Sequence, residues 1–411
     1  MTARAHDARS LSMYTLSSRA HRQDARSLFS RLSREAPVHW DPYTGTWLVS
    51  GRTEAVTACT AEEFSALRMA KPQQKTASSS AGHAHERVSD VIGRQMLFLD
   101  GARHTAWRRI MHHVLAPGRV DALAPWVERR VEQLVDSADT GRLDVVGDLA
   151  EPLPLDAIAN LLGLPTDHLE TVRAWSDAYT RMVTGFQPEP DGRADELIAA
   201  FMDYALDLVR HARRTPADSG LRALVDGADA TGMFTDADIA ANLVMLIAAG
   251  HQTTTGFLSG AVLERLHPSF GPLTSAPLSE DEVEELLTRV SPSRFVGRVV
   301  TRDTTLGGQR LRAGQAVLIL LAAANWSMLD ARTPTAAAGR SIAFGHGRHH
   351  CPGSRLARLE GRIVLRRLFG GEHPPVLHDE PVQWSGNVNL PCPLSLRISL
   401  NAPHSEGNTL P

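Results

Sequence analysis

After Thr235 the chain reads DADIAANLVMLIAAGHQTTTGFLSGAVLERL as far as Leu266, apolar on nearly every side, so a helix here has no face to give to water. It must run through a core. At about 1.5 Å per residue, roughly 30 residues cross a whole domain, and the rest of the chain has to wrap around them. Thr235, with Asp236 and Asp238 behind it, supplies a cap and early acids for the helix start. The pattern then breaks at Ala249 and Gly250, which are followed by His251, Gln252 and the β-branched Thr253, Thr254 and Thr255. A glycine inside a helix costs roughly 1 kcal/mol. Such a conflict inside a consistent core element marks a functional site; a kink in which a threonine hydroxyl bonds to the carbonyl one turn earlier is the structural alternative.

A second constellation lies near the C-terminus. Phe344-Gly345-His346-Gly347-Arg348-His349-His350-Cys351-Pro352-Gly353 sets one thiol in a glycine-rich loop just before a helix that begins near Ser354. The positive end and free amides of that helix favour a thiolate. Gly347 and Gly353 are expected to let the backbone turn and lie against a flat macrocycle, with Phe344 shielding the sulfur, as a haem-iron ligand requires. Two alternatives are a buried structural cysteine and a zinc site using His346, His349 and His350, although zinc ligands normally come as separated pairs.

Phe344, Gly347, Cys351 and Gly353 match the FxxGxxxCxG signature, and on these residues the chain resembles the cytochrome P-450 haem-thiolate family. The central helix resembles that family's oxygen-binding groove, A-G-x-[D/E]-T, through Ala249, Gly250 and Thr253. The acid is missing, because Gln252 stands in its place, and an amide hydrogen-bonds without titrating. Proton delivery is then expected through water, substrate or His251. His104 and Arg108 match the family's HxxxR pattern, Arg298 its strand arginine and His349 a further donor. The resemblance gives these four to the haem propionates, whose burial without cations would cost several kcal/mol per charge. The family's E-x-x-R helix is altered, with Thr288 where the arginine belongs. Glu285 is expected to pair with Arg289, or with Arg332 or Arg340 of a shortened downstream stretch.

The resemblance implies a mainly α fold with small β-sheets, the triangular cytochrome P-450 fold, as one domain over 28–400. Residues 1–27 would be a polar N-terminal segment and 401–411 a tail. Haem b would lie between the helix bearing Thr253 and the loop bearing Cys351, with Cys351 as axial ligand. The implied reaction is reductive activation of dioxygen and oxidation, most directly hydroxylation, of a medium-sized natural product. Oxidative radical coupling without oxygen insertion, and a non-catalytic haem- or ligand-binding relative, are alternatives raised by Gln252. A small-molecule substrate would face the loop 70–90 and residues 182–187, 243–249, 290–295 and 387–390. The implied electron donor is a ferredoxin or flavodoxin with its reductase, docking on Arg109, His112, His113, Arg355 and Arg358.

Composition narrows the partners further. Lys+Arg 43 against Asp+Glu 46 gives a net charge of −3, without the bulk basic field that nucleic acid attracts. No window reaches the roughly 20 apolar residues that span a bilayer. Three cysteines in 411 residues make no disulfide framework, which suits a reducing cytoplasm. Residues 37–49 read as a hairpin and 70–90 as a mobile loop. Residues 119–138, 151–163, 167–184 and 194–213 read as helices, with a break at 187–192 between the last two.

Overall fold

The computed structural model describes residues 11–17, 25–67, 88–138, 141–184, 192–215, 217–270, 279–330, 341–371 and 373–400. Helices dominate: α1 Ala25–Glu35, α2 Arg52–Thr60, α3 Gly101–Val114, α4 Ala124–Asp136, α5 Pro152–Leu162 and α6 Leu169–Thr184 come first. They are followed by α7 Gly192–Arg214, α8 Gly220–Thr231, α9 Asp236–Leu266, α10 Glu280–Val290, α11 Leu321–Asp330 and α12 Ser354–Phe369. The periodicity over 119–138 resolves into a short helix Pro117–Ala122 and α4, because Pro125 starts a new helix at its first turn. The other three expected helices correspond to α5, α6 and α7. The break at 187–192 and most of the loop 70–90 lie outside the described residues, as do Arg332, Arg340 and the tail 401–411.

The long apolar helix α9 is continuous and begins with a reciprocal capping box between Thr235 and Asp238. Asp238 also receives Arg103 at 3.1 Å and Arg94 at 3.4 Å, which anchors the helix start to the segment ahead of α3 and to α3 itself. α5, α6, α7, α10 and α12 pack around α9, and their apolar side chains form one large cluster with it. Contact with α12 is unusually close. A Cβ on Gly361 would lie 2.4 Å from the Phe257 ring, so only glycine lets these two helices approach at that level.

A five-stranded sheet flanks the helices. Its strands are β1 Val38–Asp41, β2 Thr46–Val49, β3 Phe64–Ser65, β4 Val296–Val300 and β5 Ala316–Ile319, in the order β1-β2-β5-β4-β3. β1 and β2 form the expected hairpin, Val38 opposite Val49 and Asp41 opposite Thr46. β4 pairs antiparallel to β5 and carries Arg298 opposite Val317.

One boundary is corrected. The segment before residue 28 is not set apart, because Leu11, Met13, Leu16 and Ala25 are buried with Phe29, Leu320 and Trp326. Ser12 and the Met13 amide bind the buried carboxylate of Asp41 at 2.8 and 3.0 Å, which ties this strand of chain to the hairpin. The apolar residues are spaced too irregularly through MTARAHDARSLSMYTLSSRAHRQ to announce a packed element.

The altered E-x-x-R helix keeps its pair one residue later. Arg289 donates through Nε to Glu285 at 2.8 Å, reaches Glu264 at 3.8 Å and lies 5.1 Å over the Phe270 ring. Thr288 is 2% exposed, and its hydroxyl is bonded to the Glu284 carbonyl at 2.8 Å. Arg289→Ala is therefore expected to destabilise the protein by about 1 kcal/mol, because the pair is partly screened while the ring contact adds to it. Thr288→Arg should cost about 1–3 kcal/mol by overpacking a closed site. Thermal unfolding of both variants tests this, and a stabilising Thr288→Arg with a neutral Arg289→Ala would show that the pair belongs in the other register.

Candidate active site

The Cys351 loop is built by backbone turns. The Cys351 amide donates to the Phe344 carbonyl at 2.9 Å and the His350 amide to Gly347 at 3.0 Å. Gly347 holds φ of +69°, and a Cβ there would lie 2.9 Å from Thr60 Cγ2 and 3.0 Å from the Cys59 carbonyl. Positive φ and the close approach of α2 both demand glycine at this point. Gly353 does something else. Its φ is −83°, ordinary for any residue, and it caps the N-terminus of α12. Burial pushes the Cys351 thiol pKa up, while the amides of Gly353 and Ser354 and the guanidiniums of Arg108 and Arg358 favour its anion. Phe344 lies beside this pocket with the Arg358 guanidinium 4.5 Å over its ring.

Cys392 offers a contrast. Its Sγ lies 3.5 Å from Ser259 Oγ, its pKa is pushed up to about 11 by burial, and the charges acting on it are the carboxylates of Glu151 and Asp177. An anion there would face two acids. Cys59, the third thiol, is buried beneath the sheet.

Next to the Cys351 loop, the predicted haem-carboxylate residues come together. His104 is stacked on His349 with ring centroids 4.1 Å apart. Arg108, Arg298, Arg348 and Asp100 all act on His104. Both imidazoles are held at a pKa of about 4, chiefly by burial, then by Arg108 for His104 and by Arg298 for His349. They are neutral donors at pH 7. His349 Nε2 lies 3.1 Å from Asp100, which also accepts Ser65 Oγ at 2.6 Å and the Ala66 amide at 2.8 Å. Arg298 is 7% exposed and, among the described residues, donates only to its neighbour's carbonyl, Gly297, at 2.8 Å. Arg108 donates to the His350 carbonyl at 2.6 Å, and His104 Nε2 is buried without a partner among the described residues.

Among the described residues, three cations act on His104, the buried Arg298 and the half-buried Arg108 and Arg348, against one carboxylate, Asp100. Buried cations without anions are costly, so the cluster fits a ligand carrying two carboxylates. Haem b is such a ligand, and the cysteine pocket beside the cluster suits its iron. Asp100, Arg348 and Gly361 were not singled out from sequence. Asp100 and Arg348 sit within four residues of His104 and Cys351, so their neighbourhood to the motifs was the available signal.

The break in α9 is visible as exposure. Residues 239–248 and 254–262 are buried, whereas Ala249 is exposed and Gly250, Gln252 and Thr253 are half-buried. A core helix therefore opens onto free space for one turn. Packing does not require Gly250, since an added Cβ would only touch Ile158 at 3.6 Å. Thr253 Oγ1 donates to the Ala249 carbonyl at 2.7 Å, which leaves its lone pairs free to accept from a ligand. The back-bond of the structural alternative is present without breaking the helix.

His251 cannot be the proton source. It is fully buried, its Nδ1 lies 3.1 Å from Ser176 Oγ, and burial holds its pKa at about 4. Three of the expected substrate-facing segments do meet. Asn387 Nδ2 donates to Thr184 Oγ1 at 2.7 Å, and the Phe295 amide donates to Asn389 Oδ1 at 2.9 Å.

The expected basic docking face is partly cancelled. Arg355 forms a bidentate pair with Asp121 at 2.6 and 2.7 Å, and Arg358 pairs with Glu284. Arg109, His112 and His113 on α3 are exposed and make no ion pair among the described residues. No helix of the described residues is long and apolar enough to cross a membrane.

No protein-family model matches the chain. It is 30% identical over 317 residues to cytochrome P-450 130 of Mycobacterium tuberculosis, covering 73% of this chain and 77% of that protein. It is 30% identical over 360 residues to the cytochrome P-450 monooxygenase PikC of Streptomyces venezuelae, covering 83% and 82%. Among solved structures, CalO2 superposes with a TM-score of 0.81 at 26% identity, covering 94% of this chain and 98% of the other.

The buried histidines give the site a pH signature. His104 and His251 resist protonation down to about pH 4, whereas the unfolded chain takes up these protons near 6.5. Their contribution to stability is complete above pH 6.5 and is lost as pH falls toward 4, by at most about 1.4 kcal/mol per pH unit for each. Glu360, with a pKa pushed up to about 8 by burial, acts in the opposite direction as it loses its proton. The informative measurement is therefore the difference between parent and His251→Gln melting curves, expected to favour the variant increasingly below pH 6.5. Parallel curves from pH 7 to 4.5 would contradict it.

Proposed function

This chain belongs to the cytochrome P-450 family of haem-binding oxidoreductases that act with dioxygen, and on that premise we propose that it hydroxylates a medium-sized natural product, with Cys351 as the haem ligand. The observation that carries this reading is the excess of cations over carboxylates acting on His104, with Arg298 buried and Arg108 and Arg348 half-buried, beside a thiol at a helix N-terminus. Haem, when bound, supplies the iron at which dioxygen is reduced. The chain supplies ligation, orientation and protons. Arg108, Arg298, Arg348, His104 and His349 bind the carboxylates. The Gly353 and Ser354 amides and the Arg108 and Arg358 guanidiniums favour the thiolate against the opposing effect of burial. Thr253, with its hydroxyl committed as a donor to Ala249, presents its oxygen as an acceptor at the open turn of α9, where Ala249 and Gly250 leave room. The segments joined at Thr184, Phe295 and residues 387–389 frame the substrate side, with mixed polar and apolar groups suited to an oxygenated natural product.

Cys351→Ser should abolish the thiolate-type band of the reduced carbonyl complex, while Cys392→Ser should keep it. A surviving band in Cys351→Ser would end the proposal. Gln252 favours a second reading, oxidative coupling of aromatic radicals without oxygen insertion, because that chemistry needs a less ordered proton supply. Product formed under isotopically labelled dioxygen separates the two, since hydroxylation incorporates the label and coupling does not.

The proposed donor is a small acidic ferredoxin or flavodoxin, served by its reductase in the cytoplasm, and it docks on α3 around Arg109, His112 and His113. Arg109→Glu should slow reduction by the donor and flatten its dependence on ionic strength, because exposed charges mainly set the encounter rate. Arg355→Glu should act mostly on stability, its charge being already matched by Asp121. A salt dependence unchanged by Arg109→Glu would exclude this face.

A further inference from the structure

Gln252 does more than replace an acid. Its side-chain amide donates to Oδ1 of Asp177, on the facing helix α6. Asp177 is half-buried and, among the described residues, has no ion pair. Comparable acids elsewhere are matched: Asp156 by Arg130 at 2.7 Å, and Asp238 by Arg103 at 3.1 Å. Arg181, one turn along the same helix, acts on Asp177 without forming an ion pair with it among the described residues, and Arg173 is occupied by Glu170 at 2.9 Å and Glu151 at 3.3 Å. A carboxyl that is bonded to an amide, with cations acting on it only from beyond ion-pair distance, at the open turn of α9, is poorly arranged for stability alone.

We propose that Asp177 is the proton-supplying acid of this site, displaced from α9 to α6 and positioned by Gln252. The proposal rests on the reading of the site as a dioxygen-activating one. In each transfer the Asp177 carboxylic acid releases one proton into solvent at the open turn beside Thr253 and becomes a carboxylate. It regains one proton from bulk water on its half-exposed side, so the residue returns unchanged and no oxidant or reductant is consumed.

The charged surroundings agree with this role. Burial is the main influence and raises the Asp177 pKa to about 6, Arg181 and Arg173 of its own helix lower it, and Glu151 raises it. From α9 the neighbour is His251, which is neutral at working pH, and no charged group of α7 acts on Asp177. The Cys392 thiol, protonated up to about pH 11, completes the group. An acid poised near neutrality serves as a proton donor better than one ionised throughout. Asp177 delivers its proton through solvent and is held in place by Gln252, so Asp177 is a relay residue and Gln252 the positioning one.

The test uses the holoenzyme in four forms: parent, Asp177→Asn, Asp177→Glu, and the exchange variant Asp177→Asn with Gln252→Glu. Asp177→Asn should raise the share of electrons lost to peroxide roughly tenfold and remove the step near pH 6 from the pH profile of product formation. Asp177→Glu and the exchange variant should each recover much of the coupling, since both restore an acid to the pair. Independently of turnover, infrared difference spectra between pH 5 and pH 7.5 should contain a protonated-carboxyl band that Asp177→Asn lacks. Normal coupling in Asp177→Asn, or an exchange variant no better than Asp177→Asn, would overturn the proposal and leave the contact as a tether between helices. If Thr253→Ala uncouples while Asp177→Asn does not, this inference alone fails. If the parent itself consumes no dioxygen, the functional reading fails with it.

Discussion

Holding a thiol ready to ionise inside an apolar core is the constraint on which this structure turns. Burial alone raises a cysteine's pKa, as Cys392 shows at about 11 between two acids. At Cys351 the start of α12 supplies amides, α3 supplies Arg108, and α12 itself supplies Arg358. That combination needs α3 brought to the start of α12. Gly347 lets the loop lie against α2, the Phe344 carbonyl closes the loop on the Cys351 amide, and Gly361 lets α12 approach α9 within reach of Phe257. Loss of any of these contacts would move the sulfur relative to the open turn of α9, on which the proposed chemistry depends.

Some buried groups near the sulfur lack partners among the described residues, as do His39 Nε2, Tyr204 Oη and His251 Nε2 elsewhere. Arg298, His104 Nε2 and the Glu360 carboxyl are all buried with fewer partners than their chemistry calls for. Elsewhere, charged residues are paired in the ordinary way along helix surfaces, as Arg366 with Glu128 and Arg367 with Asp136 on α12. The contrast separates two uses of charge. Surface pairs are individually weak and exchangeable. The buried Arg298 and the half-buried Arg108 and Arg348 near His104 hold more positive charge than Asp100 matches, and a dianionic ligand would convert that cost into affinity.

Much of this arrangement was legible in the sequence because its causes are local. The capping box at Thr235, the glycine-framed thiol and the one-turn spacing of His104 and Arg108 are short-range patterns; the capping box forms as expected, and His104 stacks on His349 of the thiol loop. Gly353 is a partial exception. Its proximity to Cys351 was clear, but its backbone angle and its role as a cap were not. What stayed hidden depends on contacts between distant segments. Asp177 and Gln252 are 75 positions apart, Ser12 and Asp41 are 29 apart, and nothing in either local sequence announces its partner. The neutralisation of Arg355 and Arg358 was hidden for the same reason, since Asp121 and Glu284 lie on other helices.

Two departures from the family pattern follow different physical routes. At α10 the cation moves by one position along the same helix, and because i+3 and i+4 share a face, the Glu285 pair survives. It survives in a wetter place, with Arg289 16% and Glu285 36% exposed, while the buried register goes to the small hydroxyl of Thr288. This exchange lowers both the desolvation penalty and the energy returned by the pair. At α9 the acid instead crosses the contact between two helices, and Gln252 keeps the hydrogen bond while giving up the charge. A helix as enclosed as α9 gains by carrying an amide, which needs no counter-ion. The half-exposed face of α6 can carry the ionisable group and refill it with protons from water, so moving the acid outward separates the demand for a closed core from the demand for a titrating one.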